Sequence, residues 1–241
     1  MFRHKGKTRT FKHNLRLAAL LSFIAGLVNI TGVLHLKVLT TNVTGHFAFF
    51  AEDLIQKHYA VALSFLLYIF SFLLGAFAAN FITEYFIKKG NTSAHKYPMM
   101  VEIGILFIVG VGGNYFLSNG LHYSVVASIL LFAMGIQNSL VTQISNSTVR
   151  TTHLTGLFTD LGIELSQLFF YKRKEQKEKL TKSIELRLAI IACFFLGCVI
   201  GGFLYSSILL GTLVLASGLL AVALVYDILL YKYYKFFRRR R

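Results

Sequence analysis

Six long apolar runs dominate the chain, at 15–35, 59–86, 98–117, 123–141, 186–206 and 209–231. Each comes close to the ~20 apolar residues that a helix needs to cross a bilayer. Two shorter stretches are amphipathic with helical spacing. Phe47, Phe50, Ala51 and Leu54 share one face of the first, and Phe158, Leu161 and Leu165 share one face of the second. Glu52, Asp53, Asp160 and Glu164 lie off those faces. These stretches are too short and too polar for ordinary spans, and they read as half-helices, either interfacial or re-entrant. The longest polar stretch, 171–185, leaves no room for a soluble domain. The pattern predicts an all-α, polytopic membrane protein, a single membrane domain over 1–241.

Composition narrows the function classes. Apolar residues make up 55% of the chain, charged residues only 15%, and the mean hydropathy is +0.62. A soluble domain carries about 25% charged residues, so a water-soluble enzyme is excluded. The net charge of +15 would suggest nucleic acid on a soluble protein. Here its placement decides. Six Lys and Arg precede or sit at Arg16, three flank the loop 88–96, seven lie from Lys172 to Arg187, and six lie in the tail 232–241. Arg150 joins that side, and only Lys37 and Lys57 lie on the other. The positive-inside bias puts both termini, the basic tails 1–16 and 232–241, in the cytoplasm of a multi-pass cell-membrane protein. The lipid bilayer is the expected partner, nucleic acid is not, and a homo-oligomer is left open. The basic start followed by an apolar run also fits a signal peptide, but no small-residue cleavage site follows. Cys193 and Cys198 lie five apart in one apolar run and read as helix residues, not as a disulfide or metal pair.

The chain also repeats itself. Residues 40–54 read TTNVTGHFAFFAEDL and residues 151–165 read TTHLTGLFTDLGIEL. Aligned without a gap, Thr40/Thr151, Thr41/Thr152, Thr44/Thr155 and Gly45/Gly156 are identical, and Asp53 faces Glu164. Asn42 is matched by His153, and His46 by Leu157. Upstream, Gly26-Leu-Val-Asn29 matches Gly135-Ile-Gln-Asn138. Each half, about 15–117 and 121–231, then holds three spans. Three is odd, so the second half enters the membrane from the opposite side, which is an inverted-topology repeat.

Thr44 and Thr155 are the expected N-caps of the half-helices, with Gly45 and Gly156 allowing close backbone approach. A helix start offers unpaired N–H groups and partial positive charge. Irregular backbone at membrane depth survives only when it is buried in protein or lines a wet cavity. The candidate solute site is therefore Thr40, Thr41, Asn42, Thr44, Gly45, Thr151, Thr152, His153, Thr155 and Gly156, with Asn29 and Asn138 within reach. Asp53, Asp160 and Glu164 are candidate proton or ion couplers. The alternative is that TTxxTG only caps two interfacial helices. Glu84 and Glu102 are expected at span ends, paired with Lys88 or Lys96, and Gly75/Ala79 and Gly197/Gly201 as sites of close helix approach.

The GxxN span, TTNVTGH, and the later GIQNSLV and VRTTHLTGLFTDLG resemble the YoaK-like (UPF0700) membrane proteins of bacteria, from about residue 15 to 230. The resemblance implies location and architecture; it supplies no substrate and no catalytic residue. The basic C-terminus, and Leu157 where the first copy has His46, depart from the pattern.

The expected function is a secondary transporter of a small solute bound where the two TTxxTG segments meet, and a helix N-terminus there favours an anion. A channel is a weaker fit, because the spans lack a polar stripe. A membrane component that binds a protein partner without transporting is the other alternative. No enzyme is expected, since HExxH and GxSxG are missing, and no GxxxxGK[ST] is present for ATP. No cofactor or metal is expected, since His35, His46, His122 and His153 are scattered.

Overall fold

The computed structural model describes residues 10–91 and 93–238, with 231–238 as backbone alone. The basic tails therefore fall largely outside the described residues. Among those described, the chain forms eight α-helices and no strand: α1 (Phe11–Leu36), α2 (Val43–Ile55), α3 (Tyr59–Lys88), α4 (Lys96–Ser118), α5 (Tyr123–Ser145), α6 (Leu154–Phe170), α7 (Lys174–Ile208) and α8 (Thr212–Arg238). Five segments are long and apolar enough to cross a membrane. The fifth, Lys174–Leu230, is broken by a 3-10 turn at Leu209–Gly211 into α7 and α8.

The polar stretch 171–185 is not a loop. Most of it is the start of α7, which begins at Lys174. Its Lys and Glu residues are good helix formers, and Glu175–Lys179 and Glu178–Lys182 pair at i,i+4. Leu180 and Ile184 pack under Leu161 of α6.

The two helices that precede the motifs form the centre. Leu17, Leu21, Ile24 and Leu27 of α1 and Leu130, Leu131, Met134 and Ile136 of α5 are fully buried. The outer helices turn their large residues outward: Phe77, Phe81 and Phe203 are 62–75% exposed, on the surface a bilayer covers. In lipid no water drives these side chains inward.

Packing crosses between the halves. α1 lies chiefly on α7, and α3 on α5. Glycines make these approaches possible. A Cβ at Gly26 would overlap the carbonyl oxygen of Phe194, and one at Gly197 that of Phe23. A Cβ at Gly75 would overlap the carbonyl oxygen of Phe132, and one at Gly135 that of Phe72. Gly201 and Ala79 are buried on the same faces, as their spacing predicts. Cys193 and Cys198 are free and only half-buried on α7.

Candidate functional site

Each motif is a corner between a central helix and a half-helix. At the first corner, α1 ends at Lys37 in the left-handed conformation, with its N–H bonded to the Gly32 carbonyl. Thr40 then tucks in fully buried, its methyl against Gly32. The Thr41 hydroxyl donates to Asn29 Oδ1 at 3.0 Å. Asn42 caps α2 by accepting the Gly45 N–H at 3.1 Å. At the second corner, α5 ends at Asn146, also left-handed, and Thr151 is fully buried. The Thr152 hydroxyl donates to Asn138 Oδ1 at 2.8 Å. His153 is the cap residue of α6, without a side-chain cap bond.

This geometry gives the first two Thr and the Gly of each copy, and the Asn of GxxN, a physical task. The first Thr fills the corner, the second ties it to the Asn of GxxN, and the Gly lies under the cap residue. A Cβ at Gly156 would overlap the His153 ring, and one at Gly45 would press on the Asn42 amide at 3.2 Å.

Three expectations change. Thr44 and Thr155 are not the caps. Each sits in the first turn and is exposed, because Asn42 and His153 already occupy the cap position two residues earlier. The predicted apolar faces do not all point inward either. Phe47, Leu54, Phe158 and Leu165 are 45–58% exposed, whereas His46 and Leu157 are buried. Finally, the two segments do not meet. α2 packs on α3, and α6 on α7. Among the described residues, no hydrogen bond or ion pair joins one motif to the other.

The faces that α2 and α6 turn inward differ in chemistry. In the first half, His46 donates from Nε2 to the Leu39 carbonyl at 2.7 Å. Its ring stacks near Phe65 and Tyr68, and Phe49 lies on Phe65. Burial holds the His46 imidazole below the ordinary histidine range, with the Leu39 hydrogen bond working the other way. A small pocket of about 300 Å³ opens beside it, lined by Val33, Lys37, Leu39, Phe49 and Phe65.

In the second half, Arg187 of α7 reaches back to α6. Its Nε and Nη2 donate to Glu164 at 2.8 and 3.0 Å, and its Nη1 donates to Asp160 at 2.8 Å. Ser183 adds a donor to Glu164 at 2.7 Å. A pocket of about 400 Å³ opens here, lined by Thr148, Arg150, His153, Asp160, Ser183 and Arg187 among others. Of the three candidate couplers, Asp160 and Glu164 are therefore held by one guanidinium. Asp53 pairs with His58 at 3.3 Å.

Sequence reasoning missed Arg187, which it counted only as a topology charge. It also missed Phe65 and Tyr68, which are hidden among span residues. Glu102 was expected at a span end beside a lysine. It is instead fully buried within α4, and neither carboxyl oxygen has a hydrogen-bond partner.

Comparison with known proteins agrees with this architecture. The family model for a protein of unknown function, DUF1275, matches residues 17–226. The chain is similar to the UPF0700 transmembrane protein YoaK of Bacillus subtilis (strain 168), at 26% identity over 188 residues. That alignment covers 76% of this chain and 80% of the relative. No solved structure gives a significant match.

Proposed function

The chain belongs to the DUF1275 family of proteins of unknown function, and from that footing we propose that it is a secondary transporter of a small anionic solute. In this reading it sits in the cell membrane, crosses it six times with both termini cytoplasmic, and consists of two inverted three-helix halves. α2 and α6 then lie at opposite membrane faces. The two pockets beside them are the outer and inner ends of one route. The solute is anionic because the larger pocket presents Arg150 and the remaining donors of Arg187. Asp160 and Glu164 set how much of that positive charge is free.

One observation carries the reading: the exchange of partners between halves. α1 packs on α7 as α5 packs on α3, and the glycine contacts match pair by pair, Gly26 with Gly135 and Gly197 with Gly75. A two-fold axis in the membrane plane generates such an exchange, and transporters that alternate access are built that way. The corner bonds Thr41–Asn29 and Thr152–Asn138 match as well, although the partners are 12 residues apart in the first half and 14 in the second.

The test uses single cysteines at 44 and 155 in a background with Cys193 and Cys198 replaced by serine. An impermeant maleimide is applied to each face of the membrane in turn. Thr44→Cys is expected to label only from outside and Thr155→Cys only from the cytoplasm. Both labelling from one face would remove the inverted arrangement and the transport reading with it.

A further inference from the structure

The described carboxylates divide sharply. Asp160 and Glu164 share Arg187, Asp53 has His58, Glu175 and Glu178 have lysines one turn on, and Glu84 and Glu185 are exposed. Glu102 alone among the carboxylates shown to be fully buried has both oxygens without a hydrogen-bond partner. It lies inside a helix long and apolar enough to cross the membrane, with buried Met99 and Leu106 one turn away on either side.

Other polar side chains stand at a matching height on the helices next to α4. α4 and α5 are consecutive helices joined by a short turn. Glu102 lies about as many turns before that turn as Gln137 and Asn138 lie after it, so the three share one depth. Gln137 Oε1 and Asn138 Nδ2 are also buried without partners. Gln137 is fixed by its other end, Nε2 donating to the Leu21 carbonyl at 2.8 Å. On α8, the Ser217 hydroxyl is spent on the Ile103 carbonyl at 3.0 Å.

Among the described side chains, none is hydrogen-bonded to Glu102 as a fixed counter-charge. The elements packed on α4 are α8, α5, the 3-10 turn and α3. α5 and the 3-10 turn carry no Asp, Glu, Lys, Arg or His. Up to residue 230, where side chains are described, α8 carries only Asp227; α3 carries Glu84 and Lys88, and α4 itself has His95 at its cap and Lys96 in its first turn. Neither carboxyl oxygen of Glu102 accepts a hydrogen bond from any of them. A lone carboxylate in such a place is far more costly than the neutral acid. Ionisable groups kept at membrane depth mark proton and ion routes.

We propose that Glu102 is a proton-binding site of this protein, carrying its proton as a neutral acid in the core and exchanging it with water when the helices around α4 part. The site deepens the transport reading by naming the proton as the coupling ion. It rests on that reading for the use the proton serves, but not for where the proton binds.

The test needs no transport assay. Full-length protein in phosphatidylcholine nanodiscs is treated with dicyclohexylcarbodiimide, an apolar reagent that reacts with protonated carboxylic acids, and adducts are mapped by peptide mass spectrometry. The expected result is an adduct on Glu102, forming about tenfold more slowly for each pH unit above the acid's midpoint. Glu102→Gln removes it, Glu102→Asp keeps it, and exposed Glu84 stays unmodified. Peptide mapping of the unaltered protein gives the pH profile even where a variant fails to fold. Three outcomes would overturn the proposal. The first is no adduct on Glu102 at any pH. The second is a rate independent of pH, as for an acid sealed from water. The third is slowing by added sodium or potassium chloride at fixed pH, which would assign the site to a metal cation. Because labelling reports the acid itself, this proposal and the inverted-transporter reading can fail separately.

Discussion

The corner of the first half and the corner of the second share a backbone plan but not an adhesive. Both bury one Thr, bind a second to an Asn, and place Gly beneath the cap residue. The half-helices are then fixed differently. Phe49 on Phe65, with His46 against both Phe65 and Tyr68, fixes α2. Arg187 between Asp160 and Glu164 fixes α6. Counting from the aligned motifs, Phe49 corresponds to Asp160. Counting from Gly75 and Gly197, Phe65 corresponds to Arg187. A ring pair in one half thus stands where an ion pair stands in the other. The letters that repeat hold the corner in shape, and the letters that differ determine how each pocket behaves.

The comparison breaks most severely at what the halves share. Gly26→Ala and Gly135→Ala each drive a methyl into backbone on the partner helix. Backbone cannot step aside as a side-chain tip can, so the cost is at the upper end of the roughly 1–3 kcal/mol of overpacking, or beyond it. Thermal unfolding in detergent should show two large and similar losses. A loss at one glycine only would mean that the halves are not built alike.

A middle-sized effect separates the halves. Arg187→Leu leaves Asp160 and Glu164 without their cation. Full burial would make that loss roughly 3–5 kcal/mol. Arg187 is 22% exposed and Asp160 half exposed, which reduces it to about 2 kcal/mol. Phe65→Leu should cost less, and only the pairing in the second half should weaken with salt. Labelling rates of cysteines placed on α6 and α2 at low and high ionic strength would check both points.

The smallest effect concerns acidity. His46 holds its proton less firmly in the folded protein than in the unfolded chain. The unfolded form therefore takes up protons first as the pH falls, and stability declines through the ordinary histidine value of about 6.5. The protection of α2 amides, taken relative to the intrinsic exchange rate at each pH, should fall between about pH 7 and pH 5, while that of α6, with Leu157 at the matching position, should not follow. His46→Leu should remove the difference. Equal responses in both half-helices would show that the imidazole is not the cause.

Much of this was legible beforehand, since apolar runs of bilayer length and a repeated motif survive any uncertainty about packing. The link from GxxN to the motif was legible too, because Asn29 and Asn138 occupy equivalent places before their threonines. The caps were misplaced because a Thr before Gly reads as a helix start, although Asn42 and His153 stand in line ahead of it. Arg187 was illegible as a site residue because its partners lie 23 and 27 residues away on another helix. Glu102 misled for the opposite reason: nearby Lys96 offered an easy local partner, and only the fold shows that the carboxyl is buried without a hydrogen-bond partner.

The crossed packing also bears on how the chain is made. α1 finds its main surface on α7, so it has to wait while five other helices are synthesised. At about 5–20 residues per second that interval is on the order of ten seconds. Throughout it, the flat glycine face of α1 stays uncovered in the bilayer, where the insertion machinery or other lipid-embedded helices are its only available neighbours.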